Sequence, residues 1–111
     1  MAAVAVPKFV DLQQDAHAAH ADAAFAAARS AASMHFAKGL INTPAAADQI
    51  TADAAGATNL LDLMDVDLTL WAVSGSTIEA DLGTVTYVIT ISAAEDYTSS
   101  PPVAATLALA P

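Results

Sequence analysis

The sequence predicts an α+β fold, in which a long alanine-rich N-terminal helix and a shorter helix precede an antiparallel sheet of three or four strands. A run of 28 residues without Gly or Pro favours helix. From Val66 onward, apolar and polar residues alternate, as they do in half-buried strands. A chain of 111 residues has the usual size of one domain. We expect it to comprise an N-terminal arm (1–8), a helical part (9–64), a β part (66–92), a loop (93–102) and a C-terminal strand or arm (103–111).

The first helix is predicted between Asp11 and Lys38, where alanine dominates. Pro7 before it and Gly39 after it match the preferences of helix ends. Such a helix would be about 42 Å long, and its small side chains would let a second helix approach closely. The remaining chain has few large apolar residues to cover it. We therefore weigh two interpretations: a core helix within one chain, and a helix that also packs against copies of itself or a partner.

A second helix is predicted from Pro44 to Ala55, weakened at Gly56 and able to resume through Leu61. The short connection predicts that the two helices lie antiparallel. The apolar residues before the first helix form the arm at 1–8, which is either frayed or laid onto a neighbouring molecule.

The β part begins with a strand predicted from Val66 to Val73, followed by a hairpin turn at Ser74-Gly75-Ser76. The alternation then changes phase by one residue at Gly83. This slip indicates either a β-bulge in one long strand or a bend between two strands. One apolar face is expected to pack on the helices, with Thr69, Thr84, Thr86 and Thr90 facing solvent or another subunit. The residues expected on the apolar face are Leu68, Leu70, Val85, Tyr87, Ile89 and Ile91.

The C-terminal residues alternate again after the stiff segment Ser99-Ser100-Pro101-Pro102. Val103, Ala105, Leu107 and Leu109 would share one side of a strand. This strand either completes the sheet of its own chain or adds to the edge of a neighbour's sheet.

Charge is distributed unevenly along the chain, which has a formal net charge of −9. Residues 1–43 are neutral overall, whereas residues 44–111 contain nine acidic residues and no Lys or Arg. Such a surface repels nucleic acid and anionic membranes, so we expect neither as a partner. No run of apolar residues is long enough for a membrane span, and the N-terminus lacks the features of a signal peptide. Without cysteine, the chain has no disulfide or thiolate chemistry.

Two groups of residues were considered as metal ligands. His17 and His20 are one helical turn apart, but one chain supplies no third ligand, so only an oligomer would complete a site. The sequence Asp62-Leu-Met-Asp65-Val-Asp67 lacks the glycine and the distal glutamate of a calcium loop. We therefore expect no bound metal and no cofactor.

Enzymatic motifs are absent from the sequence. The Ser74-Gly75-Ser76 segment lacks the second glycine of a nucleophile elbow. A paired-carboxylate mechanism based on Glu79 and Glu95, the only glutamates, would need a longer cleft than this chain can form. Trp71 and Tyr97 are most simply core or interface residues, with ligand stacking as an alternative. The chain is not expected to be an enzyme.

The expected function is that of a structural subunit, because the chain combines a lack of chemistry with an alanine-rich helix and apolar arms at both ends. The specific hypothesis is a bacteriophage virion component, either a capsid-decoration protein or a minor head or tail protein. It would contact itself as a homo-oligomer and another structural protein. The alternatives are a small ligand- or metal-binding module and a bacterial surface or pilus-like subunit. The expected location is the virion, with the cytoplasm or the cell surface as alternatives. The residues expected at its interfaces are Phe25, Phe36, Trp71, Val103, Leu107 and Leu109.

Overall fold

Two helices and a four-stranded antiparallel sheet make up the structure, so the predicted α+β class is confirmed. This computed structural model describes residues 2–64, 66, 68–82 and 85–111, with side chains from residue 13 onward. Each strand pairs with its sequence neighbours, in the order β1-β2-β3-β4. The elements are α1 (Ala2–Ile41), a 3-10 turn (Ala46–Asp48), α2 (Ala54–Leu63), β1 (Trp71–Ser74), β2 (Thr77–Asp81), β3 (Thr86–Ala93) and β4 (Thr106–Ala110).

Helix α1 has 40 residues and extends beyond the predicted segment at both ends. From Ala2 onward the backbone of the segment predicted as an arm (1–8) continues the helix, and the alternative in which it lies on a neighbouring molecule stays a prediction. A proline inside a helix removes one backbone hydrogen bond and crowds the preceding turn at a cost of roughly 3 kcal/mol, but the helical backbone continues through position 7. At 1.5 Å per residue α1 is about 60 Å long. It accounts for the longest dimension of the molecule, which measures 63 × 23 × 20 Å.

One face of α1 is buried by the rest of the chain. Four alanines at intervals of three and four residues have almost no exposed surface, and they form a single stripe. Because these side chains are small, α1 packs closely against α2 and β4. The residues 13–16, at the N-terminal end of the described side chains, are all exposed. Helix α1 therefore extends past the body that covers its other half. The buried stripe comprises Ala21, Ala24, Ala28 and Ala32.

The second helix lies further along the chain than predicted. The segment 44–53, apart from its 3-10 turn, is not helical, because tertiary contacts outweigh the helical preference of its alanines. Both backbone groups of Ile50 bond to Glu95. The Asn59 side chain donates to the carbonyls of Ala47 and Gln49. These contacts hold the segment in an extended path, and the prediction of a helix from Pro44 is wrong.

Helix α2 begins at an aspartate cap. The Asp53 carboxylate accepts hydrogen bonds from the Gly56 N–H at 2.8 Å and from the Thr51 hydroxyl at 2.6 Å. Both hydrogen bonds favour the charged carboxylate and so lower the pKa of Asp53, and the bond from Thr51 contributes most. Gly56 is buried directly against the Thr51 backbone, and a Cβ atom there would collide with the Thr51 carbonyl oxygen. A glycine is thus required where the sequence suggested a helix break.

Substituting alanine for Gly56 is expected to destabilise the fold. The added methyl must displace backbone atoms of Thr51, so the loss should reach roughly 2–4 kcal/mol, at or above the usual range for overpacking. The intrinsic helix preference of alanine would offset about 1 kcal/mol of the clash. Urea denaturation monitored by circular dichroism measures the change. The exposed Thr58→Ala in the same helix is the control and should stay within about 0.5 kcal/mol. If Gly56→Ala left the urea midpoint unchanged, the close contact between Gly56 and the Thr51 backbone would be contradicted.

Strand β1 is shorter than predicted and has the opposite phase. It begins at Trp71, which has 0% of its surface exposed, whereas Leu68 lies in the preceding turn and is 63% exposed. The expectation that Leu68 packs on the helices is therefore corrected, and Leu70 is only partly buried. Residues 66–73 include large apolar side chains at both even and odd positions. Burial of the Trp71 indole removes the largest apolar area from water, so the odd-numbered side faces the core.

The β1–β2 hairpin was predicted correctly. Ser74 pairs with Thr77, which leaves Gly75 and Ser76 as a two-residue turn. Gly75 has a φ of +60°, as the first position of a type II′ turn requires. Strands β2 and β3 pair antiparallel from Asp81↔Thr86 onward, so they are two strands rather than one long strand. Gly83 itself and Thr84 lie outside the described residues.

Strand β4 pairs antiparallel with β3 in the same chain and forms one edge of the sheet. The alternative in which residues 103–111 complete their own sheet is thus the one observed. An isolated bridge between Asp96 and Val103 closes the connection from β3 to β4. The inner face of the sheet packs on α2 and α1, with Tyr87 partly buried there. Of the threonines expected outside, Thr69 and Thr86 are exposed and Thr90 is half-buried. The most deeply buried large side chains are Trp71, Ile50, Leu60, Ile78 and Ile89.

Candidate functional site

The most concentrated polar chemistry in the described part of the chain surrounds Glu95, just after β3. Its side chain is buried, with only 4% of the residue exposed. One carboxylate oxygen, Oε1, accepts the Ile50 N–H at 2.9 Å. The other, Oε2, lies 3.1 Å from Nδ1 of His35 and accepts the Tyr97 hydroxyl at 3.0 Å. We call these four residues the Glu95 cluster. It links α1, the segment before α2 and the β3–β4 connection.

Tyr97 fixes the outer side of the Glu95 cluster. Its ring stacks on Phe36 with 5.4 Å between centroids, and it lies directly over Gly39, where a Cβ would collide with it. Burial, followed by the hydrogen bond to Glu95 and the charge of that carboxylate, raises the pKa of Tyr97 to about 12. The phenol therefore keeps its proton, and its role as a donor to Glu95, up to strongly alkaline pH.

The Glu95 cluster is built for structure. Both carboxylate oxygens are occupied by protein donors, so Glu95 has no free oxygen for a substrate or a metal ion. Sequence reasoning treated Glu95 only as a candidate acid and did not relate it to His35 or Ile50. Its partners lie 60 and 45 residues away. The only local signal is a single glutamate among small residues, which is too weak to identify a buried carboxylate.

His35 also lines a shallow depression of about 230 Å³, together with Asn59 and Leu63 and the carboxylates of Asp48 and Asp62. Carboxylates and a histidine are suitable ligand types for a cation. Within the described residues, however, no three His, Asp or Glu side chains are close enough to hold a metal ion. Two of the aspartates considered for a calcium loop, Asp65 and Asp67, lie outside the described residues.

The two histidines proposed as metal ligands have different surroundings. His20 stacks on Trp71, and the indole N–H donates to its Nε2 atom at 3.0 Å. This nitrogen is therefore already used as an acceptor. His17 is half-buried one turn earlier, and the described residues add no third ligand. The expectation of no bound metal stays a prediction, and a site formed by several copies of His17 and His20 stays its alternative.

A groove of about 460 Å³ lies between α1 and the edge strand β4. On the α1 side, the guanidinium of Arg29 lies 5.8 Å from the centroid of the Phe25 ring, at cation–π distance. The β4 side contributes the segment 105–107. The groove thus combines one positive charge, an aromatic ring and two hydroxyl groups, those of Ser33 and Thr106.

The residues expected at interfaces are distributed over the molecule. Phe25 lines the groove, Phe36 packs on Tyr97, and Val103 is 48% exposed. Leu107 and Leu109 are partly buried against the core. Trp71 is fully buried, so its assignment to an interface is corrected to the core of its own chain. The interface roles of the other five residues remain predictions.

The geometry defines a small α+β protein with a long, partly uncovered helix and an internal polar cluster. Comparison with models of known protein families, with curated proteins and with solved structures finds no match for this chain. Among the described helices, none is long and apolar enough to cross a membrane.

Proposed function

We propose that the protein is a non-enzymatic structural subunit that assembles through its surface, most specifically as a bacteriophage virion component that decorates the capsid or forms a minor part of the head or tail. The observation that carries this proposal is the length of α1. A helix of 40 residues extends past a body that covers only part of it. Most helical stability in proteins comes from packing, and a second molecule would supply it for the uncovered part.

The polar groups of the described structure support a structural role. Both oxygens of the buried Glu95 carboxylate have hydrogen-bond partners within the chain. Described buried side chains leave no nitrogen or oxygen atom without a hydrogen-bond partner. An unpaired buried polar group is a frequent mark of a reactive or ligand-binding site.

The virion assignment rests on elimination together with the alanine-rich helix. The apolar C-terminal arm no longer supports this assignment, because the C-terminal strand pairs within its own chain. The proposal therefore depends on association through α1. Peptides of this chain in density-purified particles from the source culture would support it. Their consistent absence from such particles would contradict the virion assignment while leaving the structural role open.

The absolute mass in solution, measured by light scattering over a range of concentrations, tests the assembly function directly. A monomer of 11.2 kDa should give way to a discrete larger species as concentration rises. The Thr86→Ala variant, on the outer face of the sheet, is the matched control and should associate like the unchanged protein. A monomer at every concentration would contradict the proposed self-association.

The groove between α1 and β4 favours a second candidate function, the binding of a small anionic ligand. Arg29 would supply the charge, and Ser33 and Thr106 would supply hydrogen bonds. Titration of the labelled protein with small carboxylates, followed by NMR, tests this alternative. Shifts confined to the groove and lost in Arg29→Ala would favour it over the structural role.

A further inference from the structure

A second stripe runs along the exposed surface of α1, and its C-terminal members Arg29 and Ser33 border the groove beside β4. Its members follow one another at alternating intervals of four and three residues, the spacing of a helix that packs against another helix. Every one of them is exposed. Between its charged members the stripe presents only Ala and Ser, so a second backbone can approach closely. We call it the outer stripe; it comprises Asp15, Ala19, Asp22, Ala26, Arg29 and Ser33.

The charges of the outer stripe are separated along the helix. Its N-terminal half has two aspartates, Asp15 and Asp22, and its C-terminal half has Arg29. Seven residues separate Asp22 from Arg29, about 10 Å along the axis, which is too far for an ion pair within one helix. The basic–acidic side-chain contact found among the described residues joins His35 to Glu95 on another face, and it is an ion pair only when His35 is protonated. The opposite charges of the outer stripe are therefore available to a second molecule.

Apolar surface is also exposed where α1 ends. Leu40 is 55% exposed and Ile41 is 91% exposed. At the other end, the helix extends beyond the body of the chain. A helix laid antiparallel on α1 and centred on Ala26 would bring its own residues 12 and 11 level with Leu40 and Ile41. The N-terminal segment of one copy would thus lie over the exposed apolar end of the other.

We propose that two copies of this chain pair antiparallel through their outer stripes, with Ala26 at the two-fold axis and Asp22 beside Arg29 of the partner subunit. The pairing rests on the proposed function and specifies the partner and the surface used. A parallel, in-register pair is disfavoured, because it would place each charge of the outer stripe next to its own copy. In the antiparallel pair, both Asp22–Arg29 contacts join opposite charges.

Single-cysteine variants test the direction of pairing, since the natural chain has no cysteine to interfere. In the antiparallel pair, Ala26→Cys should form a covalent dimer under mild oxidation. In that pair, the two copies of residue 19 would be about 21 Å apart, and so would the two copies of residue 33. Neither Ala19→Cys nor Ser33→Cys alone could then form a disulfide between copies. A mixture of Ala19→Cys and Ser33→Cys should cross-link, because these positions face each other. A parallel pair would reverse the pattern, with each variant cross-linking to itself, and would overturn the proposal.

Charge reversal tests the contact between the outer stripes. Asp22→Arg or Arg29→Asp alone should weaken self-association roughly tenfold or more, since each replaces two attractions by two repulsions. The double variant, Asp22→Arg with Arg29→Asp, should restore association, as should an equal mixture of the two single variants. Lys38→Ala, away from the outer stripe, is the control and should change little.

The outcomes separate this inference from the proposed function. An oligomer that persists unchanged through the charge reversals, without the expected cross-links, overturns the antiparallel pairing and leaves the assembly function standing. A monomer at all concentrations overturns both. Restoration by the double variant, together with cross-linking of the Ala19→Cys and Ser33→Cys mixture, establishes the pairing.

Discussion

Replacing Glu95 with alanine is expected to lower the free energy of unfolding by about 3–5 kcal/mol, because several donors around a buried carboxylate lose their acceptor at once. The substitution removes the acceptor of the Ile50 N–H, of the Tyr97 hydroxyl and of the contact with His35. A buried donor left without an acceptor costs about 1–3 kcal/mol. The loss should therefore exceed that of any surface substitution and should loosen all three segments joined by the cluster.

Urea denaturation followed by circular dichroism measures the effect of Glu95→Ala. Glu79→Ala is the matched control, because Glu79 is the other glutamate and lies partly exposed on β2. It should change stability by no more than about 0.5 kcal/mol. The loss in stability for Glu95→Gln should lie between those for Glu95→Ala and Glu79→Ala. The glutamine oxygen can still accept a hydrogen bond, but its NH₂ group meets donors and cannot accept from them. A loss below about 1 kcal/mol for Glu95→Ala would show that the cluster is dispensable.

Replacing Trp71 with alanine is expected to have a comparable effect, about 3–5 kcal/mol, the usual range for removing a large buried aromatic side chain. The indole fills the space between the sheet and the helices and also donates to His20. Trp71→Phe should lose less, because the phenyl ring keeps most of the packing and lacks only the N–H donor and some volume. The difference between the two variants separates packing from hydrogen bonding.

The control for Trp71→Ala is Leu68→Ala, which also tests the phase of β1. If the odd-numbered residues face the core, as the structure shows, Leu68→Ala should cost less than about 1 kcal/mol because Leu68 is mostly exposed. Intrinsic tryptophan fluorescence during denaturation reports on the single indole in the unchanged chain. A larger loss for Leu68→Ala than for Trp71→Ala would reverse the assignment of the faces.

The phase of β1 illustrates what alternation in a sequence decides. In β2, Ile78 and Ala80 are flanked by polar residues, and they are the buried residues of that strand. Between Val66 and Val73, large apolar residues occur at both even and odd positions, Leu68 and Trp71 among them. Alternation alone cannot select a face there, and the choice depended on which side chain the helices could cover.

The sequence could not predict the Glu95 cluster or the start of α2, because both involve contacts between parts of the chain that are distant in sequence. Alanines near residue 46 favour helix locally, but the pairing of Ile50 with Glu95 holds that segment extended. Asp53 caps α2 in a way that its residue type allows, although nothing local distinguishes it from other aspartates. The helices and strands were therefore predictable as classes. The polar cluster, and the extended path before α2, required knowledge of partners 45 or more residues away.

The order of elements has a consequence for synthesis of the protein on the ribosome. The strands pair only with their sequence neighbours, so the sheet can form from local hairpins as the C-terminal half emerges. Helix α1 is made first and must wait for α2 and β4, its packing partners. Its alanine content favours helix even in isolation. Until α2 and β4 are made, the alanine stripe of α1 is exposed to solvent. Because this stripe presents methyl groups and no large apolar side chains, the nascent helix should have little tendency to aggregate.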